Sequence, residues 1–161
     1  MPNEILHVPA GTGQAYWVMG DLFTYLVTGE ESGGSYFTLE AIVAPGNGPP
    51  PHVHHQEEEQ FYILEGEVTF QIGDQTLQLS AGDFVHIPRG TVHSFRNGPK
   101  PAKLLATFSP AGIEQFFREV GEPAHDRSAP PPPVTEASIA RAMDVEARGW
   151  KAHHDTLPPG S

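Results

Sequence analysis

Residues 51–66 read PHVHHQEEEQFYILEG: three histidines and three consecutive acids fall within residues 52–59, and an apolar run follows at once. On extended backbone alternate side chains share a face, so His52 and His54 point together while Val53 and His55 point the other way. Two imidazoles on one face, about 6–7 Å apart along a strand, can converge on one cation, and this pair is the candidate chelate. A carboxylate would extend it. If Phe61 and Ile63 face an interior, Glu57 and Glu59 share their parity and Glu58 does not, so parity leaves both Glu57 and Glu59 open.

Around this stretch lie short β-branched and aromatic runs: Leu22 to Thr28, Ser35 to Val43, Gln60 to Leu64, Glu67 to Ile72, Thr76 to Leu79, Asp83 to Ile87, Thr91 to Phe95 and Ala102 to Phe108. Seventeen glycines and seventeen prolines fall between them, the punctuation of an all-β barrel or jelly roll. Gly73-Asp74-Gln75 separates two alternating runs and predicts a hairpin. The period then changes. Ile113, Phe116, Phe117 and Val120 are spaced for a short amphipathic helix that closes the barrel and stops at Gly121. Residues 122–134 form a Pro-rich, extended connector. A second helix is expected over Glu136 to Arg148, with Thr135 as N-cap and Ile139, Met143 and Val145 as its apolar face, and no element is expected in the final WKAHHDTLPPGS. The division expected is an N-terminal segment (1–16), the barrel with its closing helix (17–122), and a connector and tail (123–161).

The chain has 161 residues, the size of one domain, and its twenty acids against nine Lys and Arg repel phosphate backbones and anionic membranes. Nucleic acid and membrane are therefore not expected partners. The absence of cysteine removes disulfides, thiolate metal sites and a cysteine nucleophile. The opening MPNEILHVPAGTGQ carries an early acid and no long apolar run, so no signal peptide or membrane span is expected and the cytoplasm is the expected compartment. Apolar runs such as LFTYLV, which a small barrel need not cover, point to a homodimer.

Two spaced patterns sharpen the reading. Gly46, His52, His54, Glu59 and Gly66 are separated by five, one, four and six residues; after fifteen more come Gly82, Pro88, Gly90, His93 and Asn97, separated by five, one, two and three. These segments resemble the two motifs of the cupin superfamily at every fixed position. The resemblance implies a jelly-roll β-barrel holding one divalent transition metal ion through His52, His54, Glu59 and His93. The mixed nitrogen and oxygen donors suit Fe, Mn, Co, Ni, Cu or Zn, and four protein ligands leave positions for substrate or dioxygen. The glycines and Pro88 are then turn residues, Glu57, Glu58 and His55 solvated or rim residues, His86 a packing residue, Glu40 an outer-face residue, and His153 and His154 adventitious binders. Phe61, Ile63, Phe70, Phe84 and Phe95 are the expected walls of an apolar substrate pocket.

Over residues 17–125 the chain is also similar to single-cupin bacterial quercetin 2,3-dioxygenases, through GDLFTYLVTGEESGGSYFTLE and SPAGIEQFFREVGEPA. That resemblance implies a small apolar or aromatic substrate and dioxygen as partners, ring cleavage with release of carbon monoxide, and Glu59 as both ligand and general base. Two other classes remain. A non-enzymatic binding or sensing cupin is one, although nothing here provides a DNA-reading helix pair. A metal-dependent isomerase or decarboxylase is the other; it would need Arg or Lys inside the barrel, and Arg89, Arg96 and Lys103 are the nearby candidates.

Overall fold

The computed structural model describes residues 4–150 and 154–156. Parts of the expected N-terminal and C-terminal segments, with His153, lie outside the described residues. Ten strands precede the first helix: β1 (Ala15–Val18), β2 (Asp21–Val27), β3 (Phe37–Val43), β4 (His52–His54), β5 (Glu58–Glu65), β6 (Glu67–Ile72), β7 (Gln75–Ser80), β8 (Phe84–Ile87), β9 (His93–Asn97) and β10 (Ala102–Ser109). Helix α1 (Glu114–Val120), strand β11 (Glu122–Pro123), helix α2 (Glu136–Val145) with a π-helical turn over Glu146–Trp150, and strand β12 (His154–Thr156) follow.

These strands form two antiparallel sheets in the expected jelly roll, in the orders β11-β1-β2-β3-β10-β5-β8 and β12-β4-β9-β6-β7. Alternation decides what each sheet turns inward. In β10 every second residue, Ala102, Leu104, Ala106 and Phe108, is buried, and β3 and β5 bury Phe37, Leu39, Ala41, Val43, Phe61 and Ile63 by the same rule. Burial of these side chains against β6, whose Val68 and Phe70 face them, is the main source of the core's stability. The β6–β7 hairpin closes on Gly73-Asp74, with Ile72 paired to Gln75 and Gly73 at φ 57°.

Two loops set the sheets in register near the histidines. Asn97 is buried, and its Nδ2 donates to the carbonyls of Val43, Ala44 and Lys100 at 3.0, 3.1 and 2.8 Å. Asp21 Oδ1 accepts from Ala44 N–H and Asn47 Nδ2, both at 2.9 Å, so the β3–β4 loop is tied to the start of β2 as well. At Gly48 this loop passes so close to β9 that a Cβ would lie 1.8 Å from Phe95 O, which only glycine tolerates.

The C-terminal region differs from the sequence expectation. Thr135 caps α2 as expected, in a box with Ser138, but Ile139 and Met143 are exposed and the buried contact is made by Val145 with Ala142. The exposed face of a ten-residue helix is chosen by its neighbour α1, which the periodicity cannot see. An element is also present where none was expected: β12 adds antiparallel to β4, with Thr156 opposite His52 and His154 opposite His54. Strand β1 begins at Ala15, inside the segment expected to precede the barrel. No helix among the described residues is long and apolar enough to cross a membrane.

Candidate metal centre

Strand β4 is only three residues long, HVH, and all three are buried. His52 pairs across to His93, the first residue of β9, and Glu59 enters from β5 in the opposite sheet. The strand alternation that buries Phe61 and Ile63 carries Glu59 inward with them. One donor atom from each of His52, His54, Glu59 and His93 lies within 4.8 Å of all the others, and the four residues are 2–5% exposed. The ring centroids of His52 lie 4.2 Å from His93 and 5.0 Å from His54.

Backbone carbonyls orient two of the rings. His52 Nδ1 lies 2.9 Å from Pro50 O and His93 Nδ1 lies 2.8 Å from Thr91 O. A carbonyl can only accept, so each Nδ1 carries the proton and each Nε2 is presented to the cluster. Glu59 Oε2 lies 2.8 Å from His93 Nε2, accepting from its protonated ring, and 3.3 Å from His54 Nε2. Burial pushes the Glu59 carboxyl up, but the His54 and His93 imidazoles outweigh it and hold the group well below the usual carboxylate range. Burial likewise lowers His93, and the hydrogen bond and charge of Glu59 reverse this, so its net shift is upward. Three imidazoles, two of them oriented through Nδ1, and one ionised carboxylate are donors that fit a divalent transition ion, with the ion taking the place of the protons shared between them.

Other expected site residues divide. Phe61, Phe70 and Phe95 form one aromatic group in the hydrophobic core, with centroids 5.0–5.8 Å apart, and Ile63 is buried with them. Phe84 does not join them: it is 58% exposed, because β8 turns Val85 and Ile87 inward and Phe84 and His86 outward. His86 is accordingly an outer-face residue rather than a packing one, 3.8 Å from Glu58. Glu57, expected at the rim, is 2% exposed, since it keeps the inward parity of β5 just ahead of the strand. His55 is exposed, and Glu40 stands on the outer face 4.0 Å from Lys103.

Sequence reasoning did not single out Phe108, whose ring lies 5.7 Å from His54 in an edge-on contact and which pairs in register with Glu59. Phe108 continues into Phe37 and Phe117 of α1, at 5.8 and 6.0 Å. The alternation of β10 was the available signal; the pairing of β10 with β5 was not. Helix α1 is itself locked by Glu114, whose buried carboxylate accepts from Gly29 N–H at 2.8 Å and Gly112 N–H at 2.7 Å. An open groove of about 520 Å³ between the N-terminal segment and β2 includes Leu6, His7 and Arg118 and none of the four clustered residues.

Residues 39–108, which contain all four, match the family described as Cupin domain. The chain belongs to the cupin superfamily. This cupin is 33% identical over 133 residues, 82% of its length, to a quercetin 2,3-dioxygenase of Bacillus subtilis (strain 168). It is 32% identical over 141 residues, 81% of its length, to a quercetin 2,3-dioxygenase of Aspergillus japonicus. The matched part spans only 40% of each of those longer proteins. Its fold is similar to the crystal structure of an RmlC-like cupin from Shewanella frigidimarina, with TM-score 0.60 and 21% identity over 70% of this chain and 96% of that one.

Proposed function

We propose that this cupin is a metal-dependent, dioxygenase-like enzyme that cleaves a flavonol or a related aromatic, enolic substrate with dioxygen, working as a homodimer. The observation that carries this reading is the convergence of three imidazoles and one carboxylate inside the barrel of a chain about one third identical to proteins named quercetin 2,3-dioxygenase. His52, His54, Glu59 and His93 would hold the ion, and the donor set leaves its identity among the transition metals open. When bound, such an ion supplies Lewis acidity toward a substrate oxygen and a place for dioxygen.

The chain's own contribution is positional and acid–base. The carbonyls of Pro50 and Thr91 hold two rings in the tautomer that presents Nε2. The neighbouring imidazoles keep Glu59 ionised, and in the proposed base role this carboxylate takes a proton from a substrate hydroxyl. Phe108, edge-on against His54, helps exclude water from the cluster, and Phe61, Ile63, Phe70 and Phe95 are the proposed walls for a flat apolar guest. A carboxylate-clamping isomerase or decarboxylase is disfavoured, because Arg89 and Arg96 are exposed, Lys103 lies on the outer face, and no Lys or Arg is buried among the described residues.

Elemental analysis should find about one transition metal per chain in the wild type and little in His54→Ala. Protein reconstituted in turn with Fe(II), Mn(II), Co(II) and Ni(II) should consume quercetin aerobically and release carbon monoxide. Tight flavonol binding without turnover under every metal would move the assignment to a non-enzymatic binding cupin. Glu59→Gln that retains metal yet turns over poorly supports the base role, and full activity in that variant excludes it.

A further inference from the structure

Strand β4 carries two of the four clustered donors, yet the barrel itself holds it by little. It is three residues long, and Pro49, Pro50 and Pro51 before it have no N–H with which to extend the ladder. Among the described residues it meets β9 in register only where His52 lies opposite His93. Along its other edge β12 runs antiparallel, with His154 opposite His54, Asp155 opposite Val53 and Thr156 opposite His52.

The ladder fixes which backbone groups face which neighbour. An antiparallel pair either exchanges both of its own hydrogen bonds or is bracketed by bonds from flanking residues. Pro51 cannot supply such a bracket, so His52 and His93 bond directly. His54 has the same parity and turns its carbonyl to the same side, where it accepts from Gly90 N–H at 2.7 Å. Val53 therefore turns its N–H and C=O toward β12, where Asp155 is its partner. A three-residue strand arriving free from solution would not hold. Here it is tethered, because Val145 of α2 is buried in the core and keeps β12 close to β4.

We propose that β12 is a clasp on the metal-binding strand: docked, it fixes His52 and His54 in their converging arrangement before an ion arrives, and the ion, once held, keeps the strand docked. The proposal rests on the metal-centre reading above and adds to it an element outside the matched residues 39–108. Ordering β4 beforehand removes a cost that ion binding would otherwise carry, so the clasped centre binds more tightly. Coupling is reciprocal, so the ion protects the C-terminal strand by the same factor.

The test is Zn(II) titration against a chromophoric chelator, with thermal unfolding of each variant and amide hydrogen exchange at Asp155 in Zn(II) and in chelator. Asp155→Pro deletes the N–H that faces Val53 and should weaken Zn(II) binding about tenfold. Thr156→Pro, at the parity that faces away from β4, and Asp155→Ala, which keeps the N–H, should bind as wild type does. In the wild type, Zn(II) should slow exchange at Asp155 about tenfold. A wild type that binds no Zn(II) overturns the centre and the clasp together. If the wild type binds Zn(II) but exchange at Asp155 is unchanged, or Asp155→Pro binds as tightly, or the two control variants weaken equally, the clasp is overturned and the centre stands. The exchange measurement decides alone if Asp155→Pro does not fold.

Discussion

Asp21 and Glu59 are both buried carboxylates on β-strands, and their surroundings move them in opposite directions. Glu59 faces imidazoles and is held ionised, whereas Asp21 faces only neutral donors, Ala44 N–H and Asn47 Nδ2, and burial pushes it up to about 6. Burial has the same sign at both sites. The difference lies in whether a neighbour can carry positive charge, so a hydrogen-bonded acid is a protonated anchor at one place and an ionised partner of imidazoles at the other.

The comparison breaks most severely if Glu59 loses its imidazole. His93→Leu removes the 2.8 Å partner of Glu59 and should cost the chelated, metal-free protein about 3–5 kcal/mol in urea unfolding, with metal binding lost as well. Next is the conversion of Asp21. Its rise from 3.8 to about 6 means that the folded state binds the proton more tightly, so this group's contribution is fully present below pH 3.8 and is lost as pH rises through 6. The loss at neutral pH amounts to about 3 kcal/mol at most. Asp21→Asn keeps an acceptor for both donors and should be more stable than wild type at pH 7.5, equal to it near pH 4, and without the slope between. Asn47→Ala removes a donor from Asp21 and from Met19 O, and should cost about 1 kcal/mol, more at pH 7.5 than at pH 5 because an ionised acceptor loses more. The smallest effect belongs to the exposed counterpart of the buried pair: His86→Ala separates His86 from Glu58 in solvent and should change the stability of the monomer by less than about 0.5 kcal/mol.

Legibility in the sequence followed the same division between local and distant causes. The strand runs, the Gly73-Asp74 hairpin, α1 and the Thr135 cap are local patterns, and each is present. The inward parity of Glu59, Phe61 and Ile63 was readable because polar and apolar residues alternate around them. In FVHI both parities carry an apolar residue, so nothing local could show that Phe84 faces out and Val85 in. The same blindness hid Glu57: its parity was read as inward, yet burial depends on what closes over the strand's start. Phe108 beside His54, the tie from Asp21 to Ala44, and β12 on β4 are pairings between distant segments, which periodicity within one segment does not encode.

The four clustered side chains are divided between the layers of the sandwich, with Glu59 in the seven-stranded sheet and the three imidazoles in the five-stranded one. A cation gripped there would rivet one layer to the other. Folding would then draw on the supply of ion: a hundredfold excess of free metal over the dissociation constant adds about 2.7 kcal/mol to the native state. For this small barrel, starvation for metal would shorten the lifetime of the fold along with any chemistry it supports.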